Sequence, residues 1–263
     1  GMSTYDTCTD GLSIDTTPED QRGLVQGVMV GGRALSAIVT ALVIGILSER
    51  GLWPVAFWAI AGVGVLTIPL ALAVREPSER PPERMFSRAA FRAFWDGAFA
   101  LFLVVGLVYP LVLYSANGMV GAFLHEVLGI GLQRVGFYTS LFGIGAVIGG
   151  LAGGPLVARL GRRDSLVSAL ALTGVVTLGL AGLPTAALAW LVILLFGVAF
   201  GYYETVYMAV GMDFADPRIA AFMFAFIMAV GNIGIGMGQP LAGVLVDSVG
   251  FRWMFVVLAG VNV

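Results

Sequence analysis

The chain has 263 residues, of which 59% are hydrophobic and 11% are charged, and its net charge is −2. A soluble domain usually has about 25% charged residues, so this composition excludes a water-soluble protein and predicts one that lies in lipid. The net charge argues against a nucleic-acid partner, while one cysteine and one histidine exclude an internal disulfide and a histidine-rich metal site.

Apolar segments long enough to cross a bilayer as helices follow one another along the chain. A spanning helix needs about 20 such residues. Seven segments have that length: 23–47, 53–74, 97–123, 135–158, 165–183, 185–210 and 218–246. Residues 3–14 and 251–263 resemble the end and the start of two further spans, so we expect a fragment of a longer protein. The predicted fold is an all-α integral membrane bundle.

Positive charge alternates between successive loops. All fourteen basic residues are arginines, and ten of them lie in every second connection. These ten are Arg22, Arg75, Arg80, Arg84, Arg88, Arg92, Arg159, Arg162, Arg163 and Arg218. Because positive loops stay in the cytoplasm, they mark the inner side of a multi-pass cell-membrane protein. We expect that membrane to be a bacterial inner membrane.

The longest connection, residues 75–95, divides the chain into residues 1–74 and 96–263. Its first half is charged and rich in proline, which predicts an irregular linker. Its second half places Phe91, Phe94 and Trp95 among arginines, which fits a short helix lying on the inner membrane surface. A solvated linker that runs into the next helix fits this part equally well.

The two ends of the chain carry a matching pattern. Asp15 and Arg33 correspond to Asp213 and Asn232, which follow 198 and 199 residues later. The further matched pairs are Pro18 and Pro217, Gly45 and Gly243, and Phe57 and Phe255. A repeat of this length in an apolar chain is typical of a transporter built from two like halves.

Residues 154–166, GPLVARLGRRDSL, resemble the loop signature of the major facilitator superfamily, G-x-x-x-D-R-x-G-R-R. The residues that fit are Gly154, Arg159, Gly161, Arg162 and Arg163. Gly161 predicts a tight turn with positive φ, and the arginines suit an anchor at lipid headgroups. Ala158 replaces the acidic residue, which favours this anchor over the charge-relay role that the resemblance implies.

The resemblance assigns the complete spans to helices 5–11 and makes residues 75–95 the central cytoplasmic loop. Residues 6–27 are similar to the helix 4–5 region of the muropeptide and acetyl-CoA permease branch, and folate–biopterin and pigment-associated carriers have related segments. It implies alternating access by two six-helix halves, with the bilayer, a small solute and protons as partners. We expect no cofactor, and a monomer when the protein is complete.

Glycines recur every four residues in two of the predicted helices, a spacing that lets helix backbones approach closely in lipid. The rows are Gly23, Gly27 and Gly31, and Gly145, Gly149 and Gly153. The resemblance implies that these helices, the fifth and eighth, meet across the two halves. Sliding contacts and ordinary tight packing both remain open as interpretations.

Two charged residues lie inside predicted spans, where a charge costs at least about 2.5 kcal/mol. Arg33 is near the middle of its helix, and it either binds an anionic part of a solute or forms a structural ion pair, for example with Glu204. Neutral Asn232 at the repeat position favours the solute. Glu204 is interpreted either as a proton-coupling carboxylate or as one that only pairs and positions.

Polar and aromatic residues near these charges are candidates for a solute cavity. Tyr203 and Tyr207, spaced four residues apart, are predicted to share one helix face with Glu204. Tyr114 and Asn117 follow Pro110, which breaks the hydrogen-bond ladder of its own helix. With Arg33, Glu204 and Asn232 they complete the predicted binding set, although such tyrosines also serve as packing residues.

A cytoplasmic gate is the second predicted site. Asp10, Asp15 and Arg22 lie near the inner ends of the first helices, where acids and arginines of the two halves would pair. A solvated helix end explains Asp15 equally well.

These observations predict a secondary active transporter of a small anionic organic solute, coupled to protons through Glu204 or Asp10. The alternative is a non-transporting assembly or sensor protein on the same scaffold. An enzyme would need a nucleophile–base set or a metal, for which this chain has little material, so we expect none.

Overall fold

The computed structural model describes residues 9, 12–13, 17–18, 21–73 and 86–262, and this part of the chain is helical without strands. The helices are α1 Arg22–Glu49, α2 Trp53–Ala73, α3 Gly97–Glu126, α4 Leu132–Leu160, α5 Arg162–Ala181, α6 Ala189–Phe214 and α7 Ala220–Val261. Two short 3-10 helices span Arg88–Trp95 and Ala186–Leu188. The prediction of an all-α membrane bundle is confirmed.

The helices coincide with the predicted spans. Six of the described helices are long and apolar enough to cross a membrane, and the apolar stretch Trp53–Pro69 of α2 is shorter. The longest helix, α7, contains the last complete span and the start of the next, which are separated by a break at Gly250 with φ 81°. The partial span predicted at residues 3–14 lies almost wholly outside the described residues.

The second half of the predicted linker forms one of the short helices. Ser87 caps its first turn by accepting a hydrogen bond from the Ala89 N–H. Phe91 and Phe94 pack against Phe222 of α7, with ring centroids 5.4 and 5.9 Å apart. The structure therefore has the short helix rather than the continuous linker, and it is held against α7 by aromatic contacts.

Helix α4 approaches α1 at backbone distance. A Cβ at Gly154 would lie 2.8 Å from the Cα of Leu24, and a Cβ at Gly27 would lie 2.6 Å from the carbonyl oxygen of Gly150. Only glycine allows this separation, so the α1–α4 contact depends on the missing side chains.

The predicted row in α4 faces a different neighbour. Gly145 and Gly149 lie against the backbone of α6 near Val198, and Gly153 lies against the side chain of Thr205. The two helices expected to meet, the fifth and the eighth, are therefore in contact as α1 and α4, but this row is not the face that makes the contact. Neighbouring residues of a helix point about 100° apart, so Gly150 and Gly154, one position further on, make that contact.

Helices α3 and α7 form a second close pair. A Cβ at Gly238 would lie 2.5 Å from the carbonyl oxygen of Leu111, and Gly234 lies equally tightly against Leu107. Gly236, on another face, has open space around it. Small residues thus bring α7 alongside α3 over the stretch that contains Pro110.

We expect Gly154→Ala to reduce the free energy of unfolding by about 1–3 kcal/mol, because the added methyl group collides with backbone atoms of α1 that cannot rotate away. Gly136→Ala, in the same helix but with open space around its Cβ, is the matched control. Denaturant titrations of both variants measure the difference. Equal stability of the two variants would contradict the backbone contact.

Candidate functional site

A cavity of about 250 Å³ lies among α1, α3, α6 and α7. Its polar lining consists of Arg33, Tyr109, Tyr114, Glu204, Tyr207 and Asn232. Its apolar lining consists of Pro110, Met208, Ile227, Met228, Gly231 and Ile235. Five of the seven residues predicted to bind solute are therefore brought together in one space.

Repeat-matched positions meet in this cavity. Arg33 comes from α1 and Asn232 from α7, and both side chains line the same cavity. The sequence difference between the two halves is thus a difference between two sides of one site, with a cation on one side and an amide on the other.

The side chain of Glu204 is held in place by hydrogen bonds from α3. It is buried, with 3% of the residue exposed. Its Oε1 accepts hydrogen bonds from the hydroxyls of Tyr109, at 3.1 Å, and Tyr114, at 3.0 Å. Both donors belong to α3, so the carboxyl group of α6 is oriented by a pair of tyrosines on either side of Pro110.

Arg33 lines the cavity without an ionic partner among the described residues. No described carboxylate lies within 4.0 Å of its guanidinium, and no described acceptor is hydrogen-bonded to it. Glu204 lines the same cavity but is not in such a pair. In this structure the two charges therefore face one space separately.

Two predicted binding residues do not line the cavity. Tyr203 packs its buried ring against Tyr109, with centroids 4.5 Å apart, and Asn117 is half-buried further along α3. The cavity face of α6 carries Glu204 and Tyr207, three residues apart, and Tyr203 is rotated about 100° from Glu204. From their spacing in the sequence, both tyrosines are predicted to bind solute.

The apolar wall was not predicted. Ile227, Gly231 and Ile235 of α7 recur every four residues, and they form the face that also presents Asn232. This helical spacing was readable in the sequence. Taking Asn232 as a cavity residue and extending its face along the helix would have found these positions.

A charge cluster lies at the inner end of the helices. Asp213, at the end of α6, binds Arg22 of α1 at 2.8 Å and Arg162 of α5 at 2.6 Å. Arg22 and Asp213 are nearly buried, each with 11% of the side chain exposed. The cluster ties α1, α5 and α6 together at the ends that the arginine pattern predicts to be cytoplasmic.

The loop motif has two kinds of arginine. Gly161 has φ 79°, as predicted, and this turn starts α5 at Arg162. Arg162 reaches Asp213, so the simple headgroup anchor does not describe this residue. Arg159 and Arg163 are exposed, which is compatible with that anchor.

The acids predicted for the gate, Asp10 and Asp15, lie outside the described residues, whereas Arg22 lies in the cluster. In the sequence, Asp213 is distinguished only as the repeat counterpart of Asp15. That match was the signal that could have identified it, because a counterpart of a predicted gate residue occupies the equivalent helix end.

The family model described as Major Facilitator Superfamily matches residues 1–239. A relative from Gibberella moniliformis, described as an MFS-type transporter, is 24% identical over 254 residues. The match covers 94% of this chain and 60% of the relative. The chain therefore spans about 60% of that relative's length.

Solved structures share the fold. The human organic anion transporter MFSD10 superposes with a TM-score of 0.78 at 14% identity. The match covers 97% of this chain and 65% of the MFSD10 chain. The transporter FucP, in an outward conformation, gives 0.70 at 13% identity, covering 97% of this chain and 69% of its own. A bacterial homologue of ferroportin gives 0.61 at 17% identity, covering 99% of this chain and 66% of its own. These relatives are transporters rather than enzymes, in agreement with the prediction.

We expect Asp213→Asn to reduce the free energy of unfolding by about 1.5–3 kcal/mol, because a nearly buried carboxylate with two arginine partners is lost. Asp216→Asn is the matched control. Its partner Arg218 is 38% exposed, so the change should cost less than about 1 kcal/mol.

The control pair is ionised at neutral pH. The hydrogen bond from Arg218 lowers the pKa of the Asp216 carboxyl below its ordinary value, so its small stabilising effect is present at pH 7 and is lost only as the pH falls through the lowered pKa. Denaturant titrations at pH 7 compare the two variants. A loss for Asp216→Asn as large as that for Asp213→Asn would contradict the special role of the cluster.

Proposed function

Because the chain belongs to the Major Facilitator Superfamily, we propose that the full-length protein is a secondary active transporter that moves a small organic anion by alternating access. It works in the cell membrane, as a multi-pass protein of a bacterial inner membrane. The observation that carries the proposal is Arg33, a cation that lines the central cavity without an ionic partner among the described residues.

The anion follows from the chemistry of Arg33. A guanidinium stays protonated at every physiological pH, and a charge within the membrane is costly unless it is paired or hydrated. Its planar donors match carboxylate, sulfonate and phosphate groups. A solute anion in this cavity would give Arg33 the partner that the described residues do not supply.

The rest of the lining supports a small solute with an apolar body. Met208, Met228, Ile227 and Ile235 provide an apolar wall, and Asn232 adds an amide that both donates and accepts hydrogen bonds. Ligand pockets for drug-sized molecules usually have volumes of about 300–1,000 Å³, so about 250 Å³ suits a smaller molecule. The human structural neighbour MFSD10 is described as an organic anion transporter, which is the same broad class.

Proton coupling follows from the second charge. When an anionic solute enters, the described part of the cavity holds one cation, Arg33, and two negative groups, the solute and Glu204. Like charges in a poorly hydrated site disfavour each other, so protonation of Glu204 favours solute binding. The solute and a proton would then cross together, which is symport.

We expect Arg33→Gln to weaken solute affinity about 10- to 100-fold, the loss of a hydrogen-bonded charge contact, while Arg33→Lys keeps part of the affinity. Uptake into vesicles that contain the full-length protein measures this, with a panel of small carboxylates and sulfonates and their uncharged amides. Unchanged affinity of a folded Arg33→Gln variant would overturn the anion contact. Absence of uptake for every compound, with binding to a membrane partner retained, would favour the non-transporting alternative.

We expect Glu204→Gln to abolish accumulation driven by a pH gradient while solute exchange across the membrane continues. Glutamine keeps the shape and the acceptor oxygen of the side chain but cannot take up a proton. Counterflow and gradient-driven uptake of the same carboxylate, measured in parallel, separate the two activities. Gradient-driven accumulation by the variant would place the coupling group elsewhere, with Asp10 the next candidate.

A further inference from the structure

Helix α3 runs from Gly97 to Glu126 and contains Pro110 between the two tyrosines that hold Glu204. Pro110 has no N–H, so the carbonyl of Gly106 loses its usual helical hydrogen bond. Tyr109 precedes the proline, and Tyr114 follows it by about one turn. Because both hydroxyls donate to Oε1 of Glu204, one carboxyl oxygen joins the parts of α3 before and after this break in the hydrogen-bond ladder.

The surroundings of the break favour a pivot there. A Cβ at Gly106 would collide with the hydroxyl of Tyr207, and a Cβ at Gly231 would lie 3.7 Å from both the Gly106 carbonyl oxygen and Pro110 Cγ. The break is therefore lined by glycines on α3 and α7. At these two positions no side chain stands between α3 and α7, which are in backbone contact at Leu107 and Leu111.

The segment before the break is held to α6 by ring contacts. Phe102 stacks on Tyr207, with centroids 4.8 Å apart, and also contacts Phe214 at 5.0 Å. Both partners are in α6, the helix that carries Glu204. After Pro110, Tyr114 contacts Phe200 of α6, with centroids 5.1 Å apart. Because the segment before Pro110 has more ring contacts with α6, we expect residues 111–126 to be the part that moves when the hydrogen bonds change.

The charge of Glu204 controls those hydrogen bonds. A hydrogen bond to an ionised acceptor is roughly twice as strong as one between neutral groups. When the carboxylate takes up a proton from water in the cavity, it loses its negative charge and one oxygen becomes a donor. Both tyrosines then hold the group more weakly.

We propose that Tyr109 and Tyr114 are positioning residues that form a tyrosine clamp on Glu204, closed on the carboxylate and open on the protonated acid. Proton binding is thereby converted into a bend of α3 at Pro110. This inference rests on the proposed proton coupling at Glu204, but it concerns how the proton acts on the fold rather than which solute is carried.

The other groups around Glu204 keep their charge over the relevant pH range. Arg33 of α1 stays positive, and the phenols of Tyr109, Tyr114 and, on α6 itself, Tyr203 and Tyr207 stay neutral below about pH 9. Asn232, from α7, does not titrate. Of the described residues that line the cavity, Glu204 is thus the one carboxyl group, and its protonation is the change that the test addresses.

The test measures the bend directly, with protons as the probe. Spin labels are placed at Glu126→Cys and Trp190→Cys in the full-length protein in vesicles, after all native cysteines, Cys8 included, are replaced. Both positions are exposed and belong to the same half, so rocking of the two halves does not change their distance. A bend of 20° over the 16 residues after Pro110 moves the end of α3 by about 8 Å.

We expect the distance to differ by several ångströms between pH 5 and pH 8. Glu204→Gln and the double variant Tyr109→Phe/Tyr114→Phe should give the pH 5 distance at both pH values. Tyr202→Phe is the matched control. It removes a tyrosine hydroxyl from α6, the helix that carries Glu204, but this hydroxyl is hydrogen-bonded to Ser168. It should respond to pH like the unmodified protein.

A second label pair, Leu101→Cys and Val167→Cys, reports the segment before the break, and its distance should not change with pH.

The clamp is overturned if the unmodified protein shows one distance at both pH values, or if the double variant keeps the pH response. If the double variant does not fold, Tyr114→Phe alone is measured, and a response equal to that of Tyr202→Phe overturns the clamp. Failure of the transport proposal is distinguishable. It gives no solute uptake while the pH response persists, whereas failure of the clamp gives proton-driven uptake without a pH response.

Discussion

The approach of α4 to two other helices at backbone distance is the constraint on which the rest of this structure depends. Lipid provides no hydrophobic force between helices, so close packing and hydrogen bonds hold them together. Gly150 is the centre of this packing. It lies against Gly31 of α1, and its carbonyl accepts a hydrogen bond of 3.1 Å from Thr205 of α6.

That single contact region sets the geometry of the cavity. Arg33 follows Gly31 by two residues, and Glu204 directly precedes Thr205, so both charges are positioned from helices that meet on α4. The opposite wall comes from α3 and α7, which are joined by their own glycine contact at Gly234. A cation and a carboxyl group therefore share one small space because two independent glycine contacts leave it between four helices.

The protein uses its arginines in two different ways. At the inner end, Arg22 and Arg162 are both satisfied by Asp213, which makes a fixed connection among three helices. In the middle, Arg33 and Glu204 line one cavity, and no described carboxylate lies within 4.0 Å of the Arg33 guanidinium. A charge that is already paired contributes to stability, whereas a charge without an ionic partner can discriminate among solutes.

The sequence by itself determined the helices, the family and the turn at Gly161, and it pointed to Arg33, Glu204 and Asn232, which line one cavity in the structure. It could do so because lipid requires long apolar segments and makes every charge within them costly. Only the tertiary structure decided which glycine face of α4 meets α1, that Tyr207 rather than Tyr203 reaches the cavity, and that Arg162 binds Asp213. Each of these depends on the rotation of one helix against another. A change of one residue turns a side chain by about 100°, and spacing within a single helix carries no information about where its neighbours lie.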